Sequence, residues 1–413
     1  MNKRFALLGE HLSHSFSPRI HAAFSGYEYT LLECAKTELA ALMRDRRFDG
    51  FNVTIPYKKD VVPYMDLLSE SARATGSVNT VIRLSDGKLF GDNTDVAGFT
   101  AQLEKSKVDV RGKKALVLGS GGAGTAAKYA LRQLGATAVT ISRNGDDNYG
   151  NIDKYFDASI IVNATPVGMF PNNGFSPLSL APFKQPEFVF DLIYNPARTS
   201  LLLEAEKLNI PCANGLYMLI RQASEAFRVF TDSAVSEDIV LSLYKQLAFE
   251  SANIVLIGMP GSGKSTLARS LGQNLSRKYI DADNEIELKY GMTPSRIITS
   301  RGEAFFRQVE LETLREIGKQ TGIVISTGGG CVETPEVYPA LKQNGLILWL
   351  KRDLNALSTR DRPISSRIGI DELYRRREAK YAMFADAEIQ VCRDRKDTLK
   401  NALDRIDSLK ERL

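Results

Sequence analysis

Two glycine-rich loops of different kinds carry the residue types that bind nucleotide phosphates. Residues 258–266, GMPGSGKST, match GxxxxGK[ST], a pattern in which backbone N–H groups, a lysine and a hydroxyl surround a triphosphate and its Mg²⁺. Residues 119–124, GSGGAG, match GxGxxG, a pattern in which a helix N-terminus approaches the pyrophosphate of a dinucleotide. One chain with both loops is therefore predicted to carry phosphoryl transfer and redox chemistry in separate domains.

The first loop lies between a predicted strand and a predicted helix. It follows the apolar run 254–257, and Leu267, Leu271 and Leu275 then recur at four-residue spacing. This context favours nucleotide binding over a simple glycine turn. The lysine is expected to reach the outer phosphates of ATP, and the serine after it to bind Mg²⁺. The residues expected to hold the nucleotide are Gly261, Ser262, Gly263, Lys264, Ser265 and Thr266.

The second loop has the βαβ frame that a dinucleotide site needs. Strands are predicted at 115–118 and 139–141, with a helix at 125–134 between them. An NAD site places an acidic side chain after the second strand, but this chain has Arg143 there, which suits a 2′-phosphate. The pattern therefore favours NADP over NAD. The residues expected to contact the coenzyme are Gly119, Gly121, Gly122, Ala123, Gly124, Ser142 and Arg143.

Three further segments follow the first loop. Asp281 and Asp283 come after a predicted strand, where one could serve the metal and the other a hydroxyl, although two solvated loop aspartates are the alternative. Arg307 and Glu310 are i,i+3 neighbours on a predicted helix, so the glutamate could hold the arginine in place. The glycines 328–330 allow a ligand to approach the backbone closely.

These segments, in this order, resemble shikimate kinase over nearly all of 250–413. The resemblance implies that Asp281 assists Mg²⁺ and that Asp283 acts in catalysis. It also implies a substrate-binding set for shikimate of Asp283, Arg307, Gly329, Gly330 and Arg377. Arg362 resembles the family's lid arginine, which approaches the transferring phosphoryl group, and Arg360 is expected to cover the nucleotide. The lid segment 360–363 is shorter here than is usual in the family.

Four segments near the N-terminus offer groups for carbonyl reduction, which needs a proton donor and substrate-orienting groups. They are 13–21 with alternating hydroxyls, 52–59 with a lysine, 76–80 with an amide and 91–95 with a carboxylate. Each alone also fits a turn, a solvated lysine or a cap. His11, His14 and His21 suggest a metal, but without a carboxylate partner nearby a surface or capping role is predicted.

Taken in order, these segments resemble shikimate dehydrogenase, and the match extends to about residue 248. The resemblance implies that Lys58 and Asp95 form the catalytic pair, with the lysine delivering the proton. The implied substrate-binding residues are Ser15, Ser17, Thr54, Asn79, Asp95, Tyr194 and Gln222. Thr165, Met169 and Gly215 are expected to line the nicotinamide. The segment 145–160 is too short and polar to hold the family's usual helix.

Composition limits the remaining classes. The chain has 413 residues, 43% hydrophobic and 25% charged, which indicates two or three globular domains. A net charge of +5 without a long Lys/Arg block does not favour nucleic acid. The four cysteines are far apart and form no CxxC, so reduced thiols are expected. No run approaches ~18 apolar residues, so no membrane span is predicted and a cytoplasmic location is expected.

We therefore predict an α/β chain of three domains. These are a substrate and catalytic domain at 1–103 completed by 216–248, an inserted NADP-binding Rossmann domain at 104–215, and a P-loop kinase domain with a parallel sheet at 250–413. A helical pattern runs through 216–247, and a short polar linker is expected near 246–252.

The predicted function combines two reactions. The two resemblances imply that the N-terminal part reduces 3-dehydroshikimate to shikimate with NADPH, and that the C-terminal part phosphorylates shikimate to shikimate 3-phosphate with Mg²⁺ and ATP, in the synthesis of chorismate and aromatic amino acids. Two alternatives remain. One half could be a non-catalytic regulatory module, against which Lys58, Asp95, Lys264, Asp283 and Arg307 argue. The other alternative is a quinate-directed NAD dehydrogenase, against which Arg143 argues.

Overall fold

The chain forms two compact units. The computed structural model describes residues 3–12, 15–24, 26–357, 364 and 368–413. The first unit comprises Met1–Val167, Ser176–Tyr194 and Glu204–Tyr244, and the second comprises Gly168–Phe175, Asn195–Leu203 and Lys245–Leu413. Each unit has its own buried apolar clusters. Among the helices in the described part of the chain, none has the length and apolar character needed to cross a membrane.

The first unit begins with a mixed sheet in the order β2-β1-β3-β5-β6-β4. The strand β1 is parallel to β2 and β3, whereas β5 is antiparallel to β3 and β6. The strands are β1 Arg4–Gly9, β2 Glu28–Glu33, β3 Gly50–Val53, β4 Leu67–Leu68, β5 Thr80–Arg83 and β6 Leu89–Asp92. The α-helices of this part are α1 Ser17–Phe24, α2 Leu39–Arg44, α3 Glu70–Thr75 and α4 Thr94–Lys105.

A second sheet in the first unit is parallel throughout, with the order β11-β10-β9-β7-β8. Its strands are β7 Lys114–Leu118, β8 Thr137–Ile141, β9 Ile160–Asn163, β10 Phe188–Asp191 and β11 Cys212–Asn214. Helix α5, Gly122–Gln133, follows the glycine loop, which confirms the predicted βαβ frame. Between β8 and β9 the helical content is one short 3₁₀ turn, Ile152–Tyr155, as the polar segment there predicted.

Helix α7, Leu216–Thr231, packs against α4 and so joins the later chain to the first sheet. The contact is close because Gly98 on α4 faces α7, where an added Cβ would lie 2.8 Å from the carbonyl oxygen of Met218. The predicted helical run 216–247 is interrupted at Asp232, which adopts a left-handed conformation with φ +58° and ends α7. Helix α8, Glu237–Ser251, follows α7, and helix α6, Ser200–Lys207, lies before this stretch.

The expected polar linker near 246–252 is wrong. Helix α8 continues to Ser251, and the next strand begins at Asn253. The physical reason is a tertiary cap: the guanidinium of Arg277 donates to the carbonyl oxygens of Phe249, at 2.7 Å, and Ala252. Carbonyls at a helix end need such partners, and local sequence did not reveal this one.

The second unit is built on a parallel sheet in the order β13-β14-β12-β15-β16. Its strands are β12 Asn253–Gly258, β13 Tyr279–Asp281, β14 Val324–Ser326, β15 Gly345–Lys351 and β16 Ala387–Gln390. Because β12 is central, the glycine loop after it lies at the middle of the sheet's carboxyl edge. The α-helices of this part are α9 Lys264–Asn274, α10 Ala282–Tyr290, α11 Pro294–Arg301, α12 Glu303–Lys319, α13 Val337–Lys342, α14 Ile370–Phe384 and α15 Arg395–Lys410.

Candidate active sites

The loop after β12 has the backbone of a phosphate cradle. Gly258, Gly261 and Gly263 have φ values of +143°, +82° and +99°, which side-chain-bearing residues rarely adopt. The loop leads into the N-terminus of α9, where free N–H groups favour an anion. The buried Lys264 donates from Nζ to the carbonyl oxygens of Gly258, at 2.9 Å, and Met259, at 3.0 Å. The loop therefore holds its lysine at the place where phosphates would bind.

Oxygen ligands for a hard cation lie beside this cradle. The hydroxyl oxygens of Ser265 and Ser326 are 3.2 Å apart. Ser326 is the register partner of Asp281 across β13 and β14. Tyr279 donates its hydroxyl proton to Asp281 Oδ2 at 2.9 Å, and Asp281 Oδ1 caps α10. Hydroxyl and carboxylate oxygens at one sheet edge are the donors that Mg²⁺ prefers.

The cradle opens into a cavity of about 850 Å³. The predicted kinase residues that line it are Gly261, Gly263, Lys264, Ser265, Thr266, Asp283, Arg307, Gly329, Gly330 and Arg377. Ser262 is buried in the loop and Asp281 lies at the sheet edge, and neither lines the cavity. Sequence analysis missed several lining residues, including Asn284, Thr293, Ile298, Phe306, Thr327 and Arg352. Arg352 also donates from Nη1 to the carbonyl oxygen of Gly261 at 3.1 Å.

Asp283, in the first turn of α10, is the perturbed acid of this cavity. Its Oδ1 is buried and has no hydrogen-bond partner among the described residues. Burial first, and then the carboxylates of Glu310 and Asp281, raise the pKa of Asp283 to about 6, while Lys264 and Arg307 oppose the change. A carboxylate that lines the cavity and has this pKa can take a proton from a bound hydroxyl near neutral pH.

Arg307 is held by two acids of its own helix, α12. Its Nη1 donates to Glu310 Oε2 at 2.6 Å and its Nη2 to Glu303 Oε1 at 3.2 Å. The i,i+3 pairing with Glu310 confirms the sequence prediction. Glu310 is fully buried, and this burial raises the pKa of Glu310 despite the attached arginine. Arg307 Nε is buried and has no hydrogen-bond partner among the described residues, so this N–H donor of the guanidinium is not used by them.

Three glycines after β14 leave no room for side chains. A Cβ at Gly330 would overlap the guanidinium of Arg307, and a Cβ at Gly328 would overlap Glu310 Oε1. A Cβ at Gly329 would lie 2.6 Å from Pro260 Cδ. The backbone therefore runs directly against the charged groups and against the phosphate loop.

Arg377, on α14, contacts the same glycine segment. The side chain is buried, its Nε donates to Glu333 Oε1 at 2.5 Å, and its Nη1 donates to the Gly329 carbonyl oxygen at 3.2 Å. Burial alone would raise the pKa of Glu333, but the charge of Arg377 and the neighbouring arginines keep it below its usual value. Glu333 had no signal in the sequence, because its partner lies 44 residues away. Arg360 and Arg362 lie outside the described residues.

The second group of functional side chains lies in the first unit. Lys58, just after β3, places Nζ 2.5 Å from Oδ2 of Asp95, in the first turn of α4. Asn79, just before β5, donates from Nδ2 to the other oxygen of Asp95 at 2.8 Å. Asp95 and Asn79 are buried, and the lysine side chain is 17% exposed. The structure therefore brings together an ammonium, a carboxylate and an amide from three separate segments.

The other predicted substrate residues surround this group or lie near α1. Gln222 on α7 places Oε1 3.5 Å from Asn79 Nδ2, and Thr54 follows β3. Ser15 accepts from the backbone N–H of Ser17 at 3.2 Å, and Ser17 is buried at the start of α1. Tyr194 packs its ring 5.4 Å from that of Phe16, which lies between the two serines. Burial raises the pKa of Tyr194.

The dinucleotide-type loop adjoins the lysine. Gly119 has φ +105°, and a Cβ at Gly124 would overlap the carbonyl oxygen of Gly119. A Cβ at Gly122 would lie 3.1 Å from Cδ of Lys58. A dinucleotide on this loop would therefore lie close to the Lys58–Asp95 pair. The neighbouring residues Gly121 and Ala123 belong to the same turn into α5.

The other residues that were predicted to contact the coenzyme lie in separate segments of the sequence. Ser142 and the exposed Arg143 directly follow β8. Thr165 donates its hydroxyl proton to Asn163 Oδ1 at 2.7 Å, beside Gly119. Gly215 caps α7, where a Cβ would overlap the carbonyl oxygen of Leu192. Met169 is 42% exposed and belongs to Gly168–Phe175 of the second unit.

The surface or capping role predicted for the histidines is wrong for His21. This side chain is 2% exposed, stacks on Tyr29 at 3.9 Å between ring centroids, and bonds the Tyr27 hydroxyl at 2.5 Å. Burial lowers the pKa of His21 to about 3. His11 is exposed, and His14 lies outside the described residues. Among the described residues, no three His, Cys, Asp or Glu side chains cluster as a metal site would require.

Comparisons with known proteins agree with this geometry. The family model for the shikimate dehydrogenase substrate binding domain matches residues 7–81, and that for shikimate kinase matches 260–407. A shikimate dehydrogenase (NADP(+)) of Caldicellulosiruptor bescii is 39% identical over 259 residues, which cover 56% of this chain and 90% of that relative. The crystal structure of shikimate dehydrogenase 1 from Peptoclostridium difficile is 34% identical with a TM-score of 0.56, covering 60% of this chain and 98% of that one.

A third comparison includes bound ligands. The shikimate 5-dehydrogenase of Thermus thermophilus in complex with NADP(H) and shikimate is 30% identical, with a TM-score of 0.54, covering 59% of this chain and 99% of that one. Fold, sites and comparisons together define an enzyme with a dinucleotide-type α/β unit and a P-loop kinase-type unit. The chain belongs to the shikimate dehydrogenase family and carries a shikimate kinase domain in its C-terminal part.

Proposed function

We propose that the chain catalyses two consecutive reactions. The N-terminal part reduces 3-dehydroshikimate to shikimate with NADPH, and the C-terminal part phosphorylates shikimate with Mg²⁺ and ATP to give shikimate 3-phosphate. The observation that carries the proposal is the presence of two complete sets of reactive groups on one chain. These are Lys58 with Asp95 beside one glycine loop, and Lys264 with Asp283 at the other.

In the reduction, the bound coenzyme supplies the hydride. The ammonium of Lys58 protonates the carbonyl oxygen as it becomes an alkoxide, and Asp95 orients that ammonium. Asn79, Gln222 and Thr54 are proposed to hold ring hydroxyls, and Ser15, Ser17 and Tyr194 to hold the far end of the substrate. Asn79 and Ser17 are buried, and donors held in this way suit the task because they need little reorganisation during the reaction.

The glycine loop at 119–124 fits a dinucleotide because it turns tightly, with φ +105° at Gly119 and no room for a Cβ at Gly124, into the N-terminus of α5, where a pyrophosphate could approach the backbone. Arg143 is the basis for NADP, since its guanidinium is exposed directly after β8 and can pair with a 2′-phosphate. Ser142, Thr165, Met169 and Gly215 are proposed to complete the coenzyme site.

In the phosphorylation, Mg²⁺ and ATP supply the phosphoryl group and its charge compensation. Lys264 and the loop N–H groups orient the phosphates, and Ser265 and Asp281 are proposed to hold the metal. Asp283 takes the proton of the attacking hydroxyl. The guanidinium groups of Arg307 and of the buried Arg377 suit the shikimate carboxylate, because each lines the cavity and is held in place by an acid. Arg360 and Arg362 are proposed to act from the lid.

Three domains are proposed to carry these roles, with the boundaries 1–103 completed by 216–248, 104–215 and 250–413. The first reaction makes the substrate of the second. The decisive experiment supplies 3-dehydroshikimate, NADPH and Mg·ATP to the pure chain and identifies shikimate and shikimate 3-phosphate by mass spectrometry. A chain that forms one product from its own substrate but never the other has one non-catalytic half, which would refute the bifunctional proposal.

Two variants assign each reaction to its site. Lys58→Met is expected to slow reduction by about 10²–10⁴-fold and to leave phosphorylation of added shikimate unchanged. Lys88→Met, at an exposed lysine of the same domain, serves as the matched control and should retain both activities. Reduction by Lys58→Met at more than a tenth of the wild-type rate would exclude the lysine as the proton donor.

A further inference from the structure

A buried chain of hydrogen bonds connects Ser17 to the Lys58–Asp95 pair. It starts where the side chain of Ser17 hydrogen-bonds the Tyr29 hydroxyl. Tyr29 donates to Asn52 Oδ1 at 2.8 Å, and Asn52 Nδ2 donates to Thr80 Oγ1 at 3.1 Å. Thr80 donates to Asn79 Oδ1 at 3.2 Å. Asn79 then reaches Asp95, so the chain ends at the proposed catalytic pair.

The donor and the acceptor in each hydrogen bond of this chain follow from the chemistry of its residues. Burial, first, and the neighbouring Tyr27 raise the pKa of Tyr29 well above its usual value, so its hydroxyl keeps a proton to donate. The amide oxygen of Asn52 must therefore face Tyr29, and its NH₂ group must face Thr80. Because Thr80 accepts that bond, its own proton is directed onward to Asn79 Oδ1, or to Thr94 at 3.1 Å, which also donates to Asn79 Oδ1.

His21 reinforces the amide orientation of Asn52. Its Nδ1 bonds the Tyr27 hydroxyl at 2.5 Å, so its other ring nitrogen is available for its side-chain hydrogen bond with Asn52. The imidazole is neutral because its charged form is strongly disfavoured by burial. The His21 ring also stacks on that of Tyr29 at an interplanar angle of 11°. The hydrogen bond from Tyr29 to Asn52 therefore has a fixed direction, and the ring of Tyr29 is held rigidly.

The far end of the chain is held from two sides. The backbone N–H of Thr94 donates to Asn79 Oδ1 at 2.7 Å from the helix side, and Thr80 donates to the same atom from the sheet side. With Oδ1 occupied in this way, Asn79 Nδ2 must face Asp95 and Gln222. Asn52, Thr80, Thr94, Asn79 and Asp95 are each no more than 5% exposed, so water does not compete for these bonds.

We propose that Tyr29 and Asn52 are positioning residues for the reductase site, which fix the orientation of Asn79 and Asp95 and connect them to the buried Ser17. They do not contact the reacting atoms. Their effect is transmitted by the direction of the hydrogen bonds, because a break at one link weakens the hold on the next donor. This inference rests on the proposed dehydrogenase function and gives Tyr29 and Asn52 a role that the sequence motifs did not indicate.

The test uses hydroxyl deletions inside and outside the chain. Tyr29→Phe and Thr80→Val break it at different links. Tyr57→Phe and Thr231→Val are matched controls, since Tyr57 donates to the Cys34 carbonyl oxygen and Thr231 to that of Phe227, away from the chain.

Each in-chain variant is expected to raise the KM for 3-dehydroshikimate about tenfold and to lower kcat several-fold, since small displacements of positioned groups are costly. The controls should change KM less than twofold. KM is the informative quantity, because it does not depend on the fraction of molecules that are folded. Phosphorylation of added shikimate by the same samples measures the concentration of intact protein.

The double variant Tyr29→Phe/Thr80→Val separates a shared chain from two local effects. If both residues act through one chain, the second break adds little and KM rises about tenfold, not about a hundredfold. Multiplying effects, or a KM for Tyr29→Phe and Thr80→Val equal to that of the controls, would overturn the positioning role. If one single variant fails to fold, the other, with its own control, still decides the question. A wild-type chain with no NADPH-dependent reduction would instead refute the proposed function itself.

Discussion

Replacement of the buried acid Asp283 by asparagine should abolish phosphorylation and at the same time stabilise the second unit. The carboxylate has a pKa of about 6, raised from 3.8 mainly by burial. Its Oδ1 lacks a partner among the described residues. Such a group is retained for its chemistry and opposes folding when ionised.

The sign and size follow from linkage. The unfolded chain releases the Asp283 proton near pH 3.8 and the folded chain near pH 6. Between these two values the free energy of unfolding therefore falls as the pH rises. Asp283→Asn removes this penalty, which is about 3 kcal/mol at pH 8 and roughly half of that at pH 5. The pKa of about 6 already includes the opposing effect of the positive charges of Lys264 and Arg307.

The assay uses the single tryptophan of the chain. Trp349 is buried in the core of the second unit, stacked on Tyr381, so urea titration followed by its fluorescence reports the unfolding of that unit. The matched control is Asp404→Asn, at an exposed carboxylate on α15, where the change should remain within about 0.5 kcal/mol. A free energy of unfolding that falls in Asp283→Asn at pH 8, or a change equal at pH 5 and pH 8, would refute the reasoning.

Three further outcomes are expected. The kcat/KM of phosphorylation should rise with pH through about 6 as the free enzyme's Asp283 ionises; a flat profile between pH 5 and 7.5 would contradict its role as the base. Gly330→Ala should raise the KM for shikimate at least about tenfold, because the new methyl group would displace Arg307, whereas reduction by the same sample stays at the wild-type rate. Arg143→Ala should cut the preference for NADPH over NADH by about 10–100-fold, the worth of one or two charge-assisted bonds, and equal use of both coenzymes by the wild type would contradict the assignment.

Local chemistry in the sequence was sufficient for the phosphate loops and the elements around them. Phosphate cradles use backbone N–H groups and left-handed glycines, so they leave a contiguous pattern, and both 119–124 and 258–266 are recognisable from their residues alone. Arg307 and Glu310 were paired correctly because helical geometry alone makes i,i+3 residues neighbours. The parallel strands were also predictable, since burial on both faces produces continuous apolar runs.

Groups that meet only through the tertiary fold leave no local pattern in the sequence. Lys58 and Asp95 are 37 residues apart, so only the family resemblance paired them in advance, and their ion pair depends on how β3 and α4 are placed. The Tyr29–Asn52 link and the hold of Glu333 on Arg377 left no motif for the same reason. Burial also decides properties that residue type cannot: it makes a core residue of His21 and raises the pKa of Asp283, because desolvation depends on everything packed around a side chain.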